Sequence, residues 1–277
     1  MSRDADLTWS RRRFLSSILA VIIATAVFGL GPAPAVSAEK QLKIVATTGM
    51  IGDAARNVGG EHVAVRALMG AGVDPHAYRQ TRTDIVAMTK ADLVLRHGLY
   101  LEAQMEDFMG QLTKKRKVIA VAEGVSKDLL RAHDIYTDKY DPHIWMDPNL
   151  WSAVVMVVRD ALIEARPQER ETFEANAKRY LEQVTQLAEY AERIAKSVPE
   201  GSRLLLTAHD AFNYFGMAYG FEVVGIQGIS TESEAGLNRI GELVDLLVAR
   251  NISAVFVESS VSDRNIRALV EGAAARG

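Results

Sequence analysis

From residue 42 onward, short apolar runs rich in Leu, Ile and Val alternate with longer segments whose apolar positions recur at helical spacing. The short runs predict strands at 42–47, 62–69, 91–96 and 117–121. Between them, Thr48-Gly49 opens a helix that Gly59-Gly60 ends, and helices are predicted at 83–90 and 100–112. Four strands separated by helices imply a right-handed parallel α/β sheet. A polar, irregular stretch at 123–140 follows, and then a helix at 149–165 that Pro167 stops.

Residues 168–196 contain neither Gly nor Pro, and they place Phe173, Ala177, Tyr180, Val184 and Leu187 on one stripe. About thirty helical residues span roughly 45 Å, more than one domain requires. The run therefore reads as a spine between two lobes, with a plain surface helix of one larger domain as the alternative. Pro199-Glu200-Gly201 ends it, and a second βα series follows, with strands at 203–207, 221–226 and 253–257 and helices at 239–250 and 263–275. The sequence given stops on that last helix, so the second lobe reads as incomplete and further residues are expected beyond 277. The expected fold is α/β, two parallel-sheet lobes joined by one long rigid helix. Its expected divisions are 1–38 (signal peptide), 39–167 (first lobe), 168–198 (spine) and 199–277 (second lobe).

The N-terminus has the pattern of an export signal: Ser10-Arg11-Arg12-Arg13-Phe14-Leu15, an apolar run at 18–30, and small residues ending in Val36-Ser37-Ala38. About thirteen apolar residues are too few for a membrane span. The arginine string is similar to a twin-arginine signal, with general secretory export as the alternative. The formal net charge is −3, and the first 38 residues carry four Arg against two Asp, so the body is more acidic than the whole. A mildly acidic body does not suit nucleic acid as a partner. The 277 residues contain no Cys, which leaves no disulfide, no thiolate metal ligand and no N-terminal cysteine for a lipid within them. A freely diffusing periplasmic protein that is not lipid-anchored is the resulting expectation.

The chemistry-bearing residues cluster at the turns that follow strands. In Asp141-Pro142-His143-Ile144-Trp145-Met146-Asp147-Pro148, two prolines stiffen the chain on either side of one imidazole and bias each preceding Asp away from helix. Asp74-Pro75-His76 repeats the device, and His209 follows the apolar run Leu204-Leu205-Leu206. Histidine is the commonest neutral metal ligand, and three His with one carboxylate suit Zn²⁺ and accept Mn²⁺. The remaining histidines carry less. His62 and His97 read as structural. His133 reads as a solvated residue that could assist metal capture. Asp141 and Asp147 are either acceptors that orient an imidazole or turn residues beside proline. Trp145 either shields the site from water or packs under its loop. Glu232 and Glu234 read as a solvated loop.

These strings resemble the zinc and manganese solute-binding subunits of bacterial ABC importers (cluster A-I, solute-binding protein family 9). The resemblance runs from about residue 42 to the end. It is carried by Asp74-Pro75-His76-Ala77-Tyr78, by the 141–148 string, and by Thr207-Ala208-His209-Asp210-Ala211-Phe212. The strings Gly225-Ile226-Gln227-Gly228-Ile229-Ser230-Thr231 and Phe256-Val257-Glu258-Ser259-Ser260 carry it too. It implies a binding protein, not an enzyme, that captures a divalent metal outside the cytoplasm and passes it to an inner-membrane permease. His76 and His143 would come from the first lobe and His209 from the second. The family's fourth ligand is an Asp expected beyond residue 277. In its place a water, or Glu258 after rearrangement, could complete the site, although Glu258 reads better as a carboxylate supporting the ligands or as a strand-end structural group. Nitrogen donors favour zinc over manganese, and His209 stands where manganese-specialised members carry Glu. A monomer is expected. The rival readings are a zinc hydrolase with an open water position and a metal-buffering or adhesion protein that needs no transporter. No H-E-x-x-H or nucleophile-elbow string supports the hydrolase.

Overall fold

The computed structural model of the chain describes residues 40–133, 136–252 and 254–276. The predicted export signal lies outside them. Four strands form the first sheet: β1 (Leu42–Ala46), β2 (Val63–Ala67), β3 (Leu93–Arg96) and β4 (Val118–Ala120). All pair in parallel in the order β2-β1-β3-β4, and Ile44 stands beside both Val65 and Leu93. β1 and β3 are central, and the near-continuous apolar character of Leu93-Val94-Leu95, fully buried, reflects cover on both faces.

The helices α1 (Gly49–Gly59), α2 (Arg82–Lys90), α3 (Glu106–Leu112), α4 (Pro148–Ala165) and α5 (Arg170–Ser197) follow in chain order. Local chemistry sets their starts. Thr48 caps α1 by accepting from Ile51 N. Thr81 and Asp84 form a reciprocal capping box at α2. Asp147 caps α4, with Pro148 in the first helical position, where its missing N–H costs nothing. The helix expected from residue 100 begins only at Glu106 after a 3₁₀ turn, because Leu99 and Tyr100 turn the chain through left-handed φ values of 51° and 67°. His62, expected in a strand, closes a 3₁₀ turn at Gly60–His62 just before β2.

At 28 residues, α5 spans about 42 Å. Its N-terminal half packs on α4 and α1 and buries Phe173, Ala177 and Val184. Tyr180 Oη donates to Asp53 Oδ2 at 2.8 Å, and Asn176 Nδ2 donates to Val58 O at 3.0 Å. Further along, Leu187, Tyr190 and Ile194 are exposed.

Beyond α5 come β5 (Leu204–His209), α6 (Asn213–Tyr219), β6 (Glu222–Gln227), α7 (Leu237–Ala249) and α8 (Arg264–Ala274). β5 and β6 pair in parallel. Gly225 permits the close approach at their ends, since a Cβ there would lie 2.6 Å from Asp210 N and from Gln227 O. The strand expected at 253–257 reduces, among the described residues, to one parallel bridge between Thr207 and Phe256, with Phe256 N donating to Leu206 O at 2.8 Å. Phe256 and Val257 are exposed, so no buried face holds a longer ladder in place. Leu206, Ala208, Ile226, Leu243, Val244, Leu247, Ile266 and Leu269 form a core separate from that of the first sheet. Helix α6 was not predicted. It crosses over to the first core, of which Tyr214 is a buried member.

Candidate metal site

The three histidines singled out by sequence converge. His76 lies in the loop after β2, His143 in the connection from β4 to α4, and His209 is the last residue of β5. These are the carboxyl ends of parallel strands, where α/β sheets place ligands. Relative exposures are 3%, 1% and 6%. The Nε2 atoms of His76 and His209 stand 3.2 and 3.3 Å from Nε2 of His143. Among the described residues, the group of His and carboxylates able to share one ion is His76, His143 and His209.

Each loop is held from behind. Asp141 Oδ1 accepts both the backbone N–H of His143, at 3.0 Å, and its ring Nδ1, at 2.7 Å. Glu258 repeats the clamp on His209: Oε1 accepts its backbone N–H at 2.9 Å, and Oε2 lies 2.7 Å from its Nδ1. Both oxygens of Glu258 thus face His209, so Glu258 reaches an ion only by rearranging. Asp74 Oδ1 accepts the backbone N–H of His76 at 2.9 Å. At the far end of that loop, Tyr78 Oη donates to Asp84 Oδ2 at 2.7 Å, and Arg66 pairs with Asp84 at 3.0 Å.

The carboxylates decide the tautomers. A ring nitrogen that faces a carboxylate carries the proton, and the other nitrogen presents a lone pair. Where His143 and His209 carry the proton on Nδ1, beside Asp141 and Glu258, the two Nε2 atoms that stand 3.3 Å apart both present lone pairs. That arrangement is repulsive unless a cation sits between them. A proton is disfavoured at the third ring: burial first, then the neighbouring His143 and His209, push His76 down to about 2. A metal ion satisfies all three. Nitrogens around a tetrahedral zinc at Zn–N of about 2.0–2.1 Å stand about 3.3–3.4 Å apart, close to the spacings found.

Burial opposes ionisation of Asp141, but the hydrogen bonds and charge of His143 and the Asn213 amide hold its carboxyl below the usual range. Glu258 is held low in the same way by His209, against its burial. Trp145, partly buried against the first core, meets both His97 and His143 edge-on, with centroids 5.3 and 5.1 Å apart. Asp147 turns away from the imidazoles. Its Oδ1 accepts from Asn149 N and Nδ2. His62 meets Phe173 edge-on and Glu169 at 3.4 Å, away from the cluster.

Sequence reading missed three supports. His97, fully buried, lies with Nε2 2.7 Å from Pro142 O and so fixes the carbonyl just before His143. Asn213 Nδ2 donates to Asp141 Oδ2 at 3.1 Å, and Tyr214 Oη donates to Asp141 O at 2.9 Å. The only signal for the last two was their place just after the Thr207–Phe212 string.

Burial holds His97 down to about 3, although its bond to Pro142 O pulls the other way. His76 and His97 therefore stay neutral in the fold at a pH where the same rings in the unfolded chain, at the ordinary histidine value of about 6.5, take up protons. Their folded pKa values are depressed, so stability is complete above about 6.5 and is lost as pH falls. Each contributes a slope of up to about 1.4 kcal/mol per pH unit. The thermal midpoint of the metal-free protein is expected to fall steadily between about pH 7 and pH 5; a flat midpoint would show that these rings accept protons without unfolding.

Comparison with known proteins gives a consistent result. The family described as zinc-uptake complex component A, periplasmic (ZnuA), matches residues 44–277. The manganese-binding lipoprotein MntA of Bacillus subtilis is 46% identical over 93% of this chain and 85% of its own length. The zinc-binding protein TroA of Treponema pallidum is 38% identical over 96% of this chain and 86% of its own. The solved structure of that periplasmic zinc-binding protein superposes with a TM-score of 0.82 over 86% of this chain and 85% of that chain. One expectation is corrected here. The prediction of a protein that is not lipid-anchored rested on the missing Cys, but relatives including MntA are named as lipoproteins. A cysteine count over these residues does not support an inference about anchoring. The extracytoplasmic location stands.

Proposed function

The chain belongs to the ZnuA family of metal-binding components of ABC transporters, and from that premise we propose that His76, His143 and His209 hold the transported ion, with zinc preferred to manganese. The observation that carries this is the convergence of three buried imidazoles, with Nε2 of His76 and of His209 at 3.2 and 3.3 Å from Nε2 of His143. Three neutral imidazoles make a softer donor set than carboxylates and water, which favours zinc on intrinsic affinity. A fourth donor, a carboxylate by the family's pattern or a water, completes the shell. Its relatives are substrate-binding components, not enzymes, so the ion is cargo.

We read residues 39–167 and 199–277 as two lobes and 168–198 as their connecting helix. Two ligands come from the first lobe and one from the second, so a modest movement between them opens the site. Release would take place at the membrane permease of an ABC importer, to which the protein docks as a monomer. Metal-free protein titrated separately with Zn²⁺ and Mn²⁺ is expected to bind one equivalent of ion, zinc more tightly. Tighter manganese binding would reverse the cargo, and no uptake of either would overturn the ligand assignment.

A further inference from the structure

The second lobe meets the first at two places beside the histidines, and the two are built differently. On one side, Asn213 and Tyr214 of α6 reach Asp141 through buried hydrogen bonds. Tyr214 also accepts from the backbone N–H of Arg131 at 3.0 Å and is part of the first core. That side is a fixed anchor. On the other side, the loop after β6 crosses to the His76 loop at a partly exposed rim. Thr231 Oγ1 donates to Asp74 Oδ2 at 2.6 Å. The other oxygen of the same carboxylate accepts the backbone N–H of His76 at 2.9 Å. Ile229 and Ser230 of the crossing loop line a small gap together with His76, Tyr100 and Pro142. One residue beyond Thr231, Glu232 meets Gln104 of the first lobe.

We propose that Thr231 and Asp74 form a latch that closes the metal site and sets the rate of ion release. This rests on the ligand assignment above. The geometry supports the role in three ways. Asp74 sits between a rigid Pro75 and the open loop at 70–73, and both its oxygens are engaged, one on the ligand's own backbone and one across the lobes. A short hydrogen bond from a neutral hydroxyl to a charged acceptor is strong enough to hold and weak enough to break. Its place at the rim ties the loop after β6 to the loop that carries His76, so parting the two loops breaks this bond. Thr231 touches no ion. It is a positioning residue, acting through Asp74 on the His76 loop.

The test uses the full chain. Zinc-loaded wild type, Thr231→Val and Thr231→Ser are mixed with excess chelator, and release is followed in time; zinc association and the melting of the metal-free proteins are measured in parallel. Thr231→Val keeps the shape and removes the donor. It is expected to release zinc about tenfold faster, the fold-change that one hydrogen bond to a charged group represents, with association and metal-free melting close to wild type. Thr231→Ser restores the donor and is expected to return release to near the wild-type rate. Normal zinc binding with unchanged release in Thr231→Val would overturn the latch alone, as would a serine variant as fast as the valine variant. A wild-type chain that holds no zinc would overturn the ligand assignment, and the latch with it.

Discussion

Replacing His143 by alanine is expected to abolish the rise in melting temperature that zinc gives the wild-type protein. His143 stands at the centre of the cluster, its Nε2 within 3.3 Å of both other Nε2 atoms. An ion at a thousand times its dissociation constant stabilises the protein that binds it by about 4 kcal/mol. For a domain of this size that corresponds to a shift of about 10 °C. On the proposed ligand set, removing the central donor leaves two imidazoles, too few to hold zinc at the same concentration. The metal-free variant also leaves Asp141 without its ring partner, so its own midpoint is expected below that of the wild type. The decisive comparison is the zinc-dependent shift within each protein. A shift of undiminished size in His143→Ala would place the ion elsewhere.

Asp141→Asn is expected to lower zinc affinity by about 10- to 100-fold, the usual effect of removing a carboxylate that orients a ligating histidine. The side chain is fully buried and has four hydrogen-bonding demands in its neighbourhood. Its two oxygens take the backbone N–H and the ring Nδ1 of His143 and the amide of Asn213, while its carbonyl takes the hydroxyl of Tyr214. An asparagine has one acceptor oxygen. If that oxygen stays with His143, the new NH₂ faces the Asn213 amide, donor against donor. If it turns, the His143 ring loses the partner that fixes its tautomer. Either outcome costs about 1–3 kcal/mol for a buried group left unpaired, so lower metal-free stability is expected beside the weaker binding. Isothermal titration with zinc and denaturant unfolding of the metal-free protein measure the two effects. Unchanged zinc affinity would show that Asp141 shapes the loop without tuning its ligand.

The sequence alone determined the strand–helix alternation, the long α5 and the choice of three histidines as candidate ligands. Each of these is written locally. Apolar period and helix breakers need only neighbouring residues, and Pro142 and Pro148 stiffen the His143 loop wherever it lies. Glu258 and Asp141 were legible as supports for the same reason, each next to a stiff or strand-end segment. Three-dimensional packing decided the rest. Asp147 had two readings that sequence could not separate, because an Asp before Pro both caps a helix and turns a loop; the structure places its carboxylate on Asn149. The strand expected at 253–257 shrank to one bridge because a ladder depends on a buried face that a run of apolar residues cannot supply for itself. Helix α6 is seven residues long, too short for a periodic signal, yet it delivers Asn213 to the carboxylate and Tyr214 to the backbone carbonyl of Asp141, more than seventy residues away in sequence. His97 read as a structural residue, and its bond to Pro142 depends on two loops meeting at the ends of neighbouring strands. The convergence of the three Nε2 atoms is also a tertiary result, because it joins loops that lie far apart in sequence and meet only once the chain has folded.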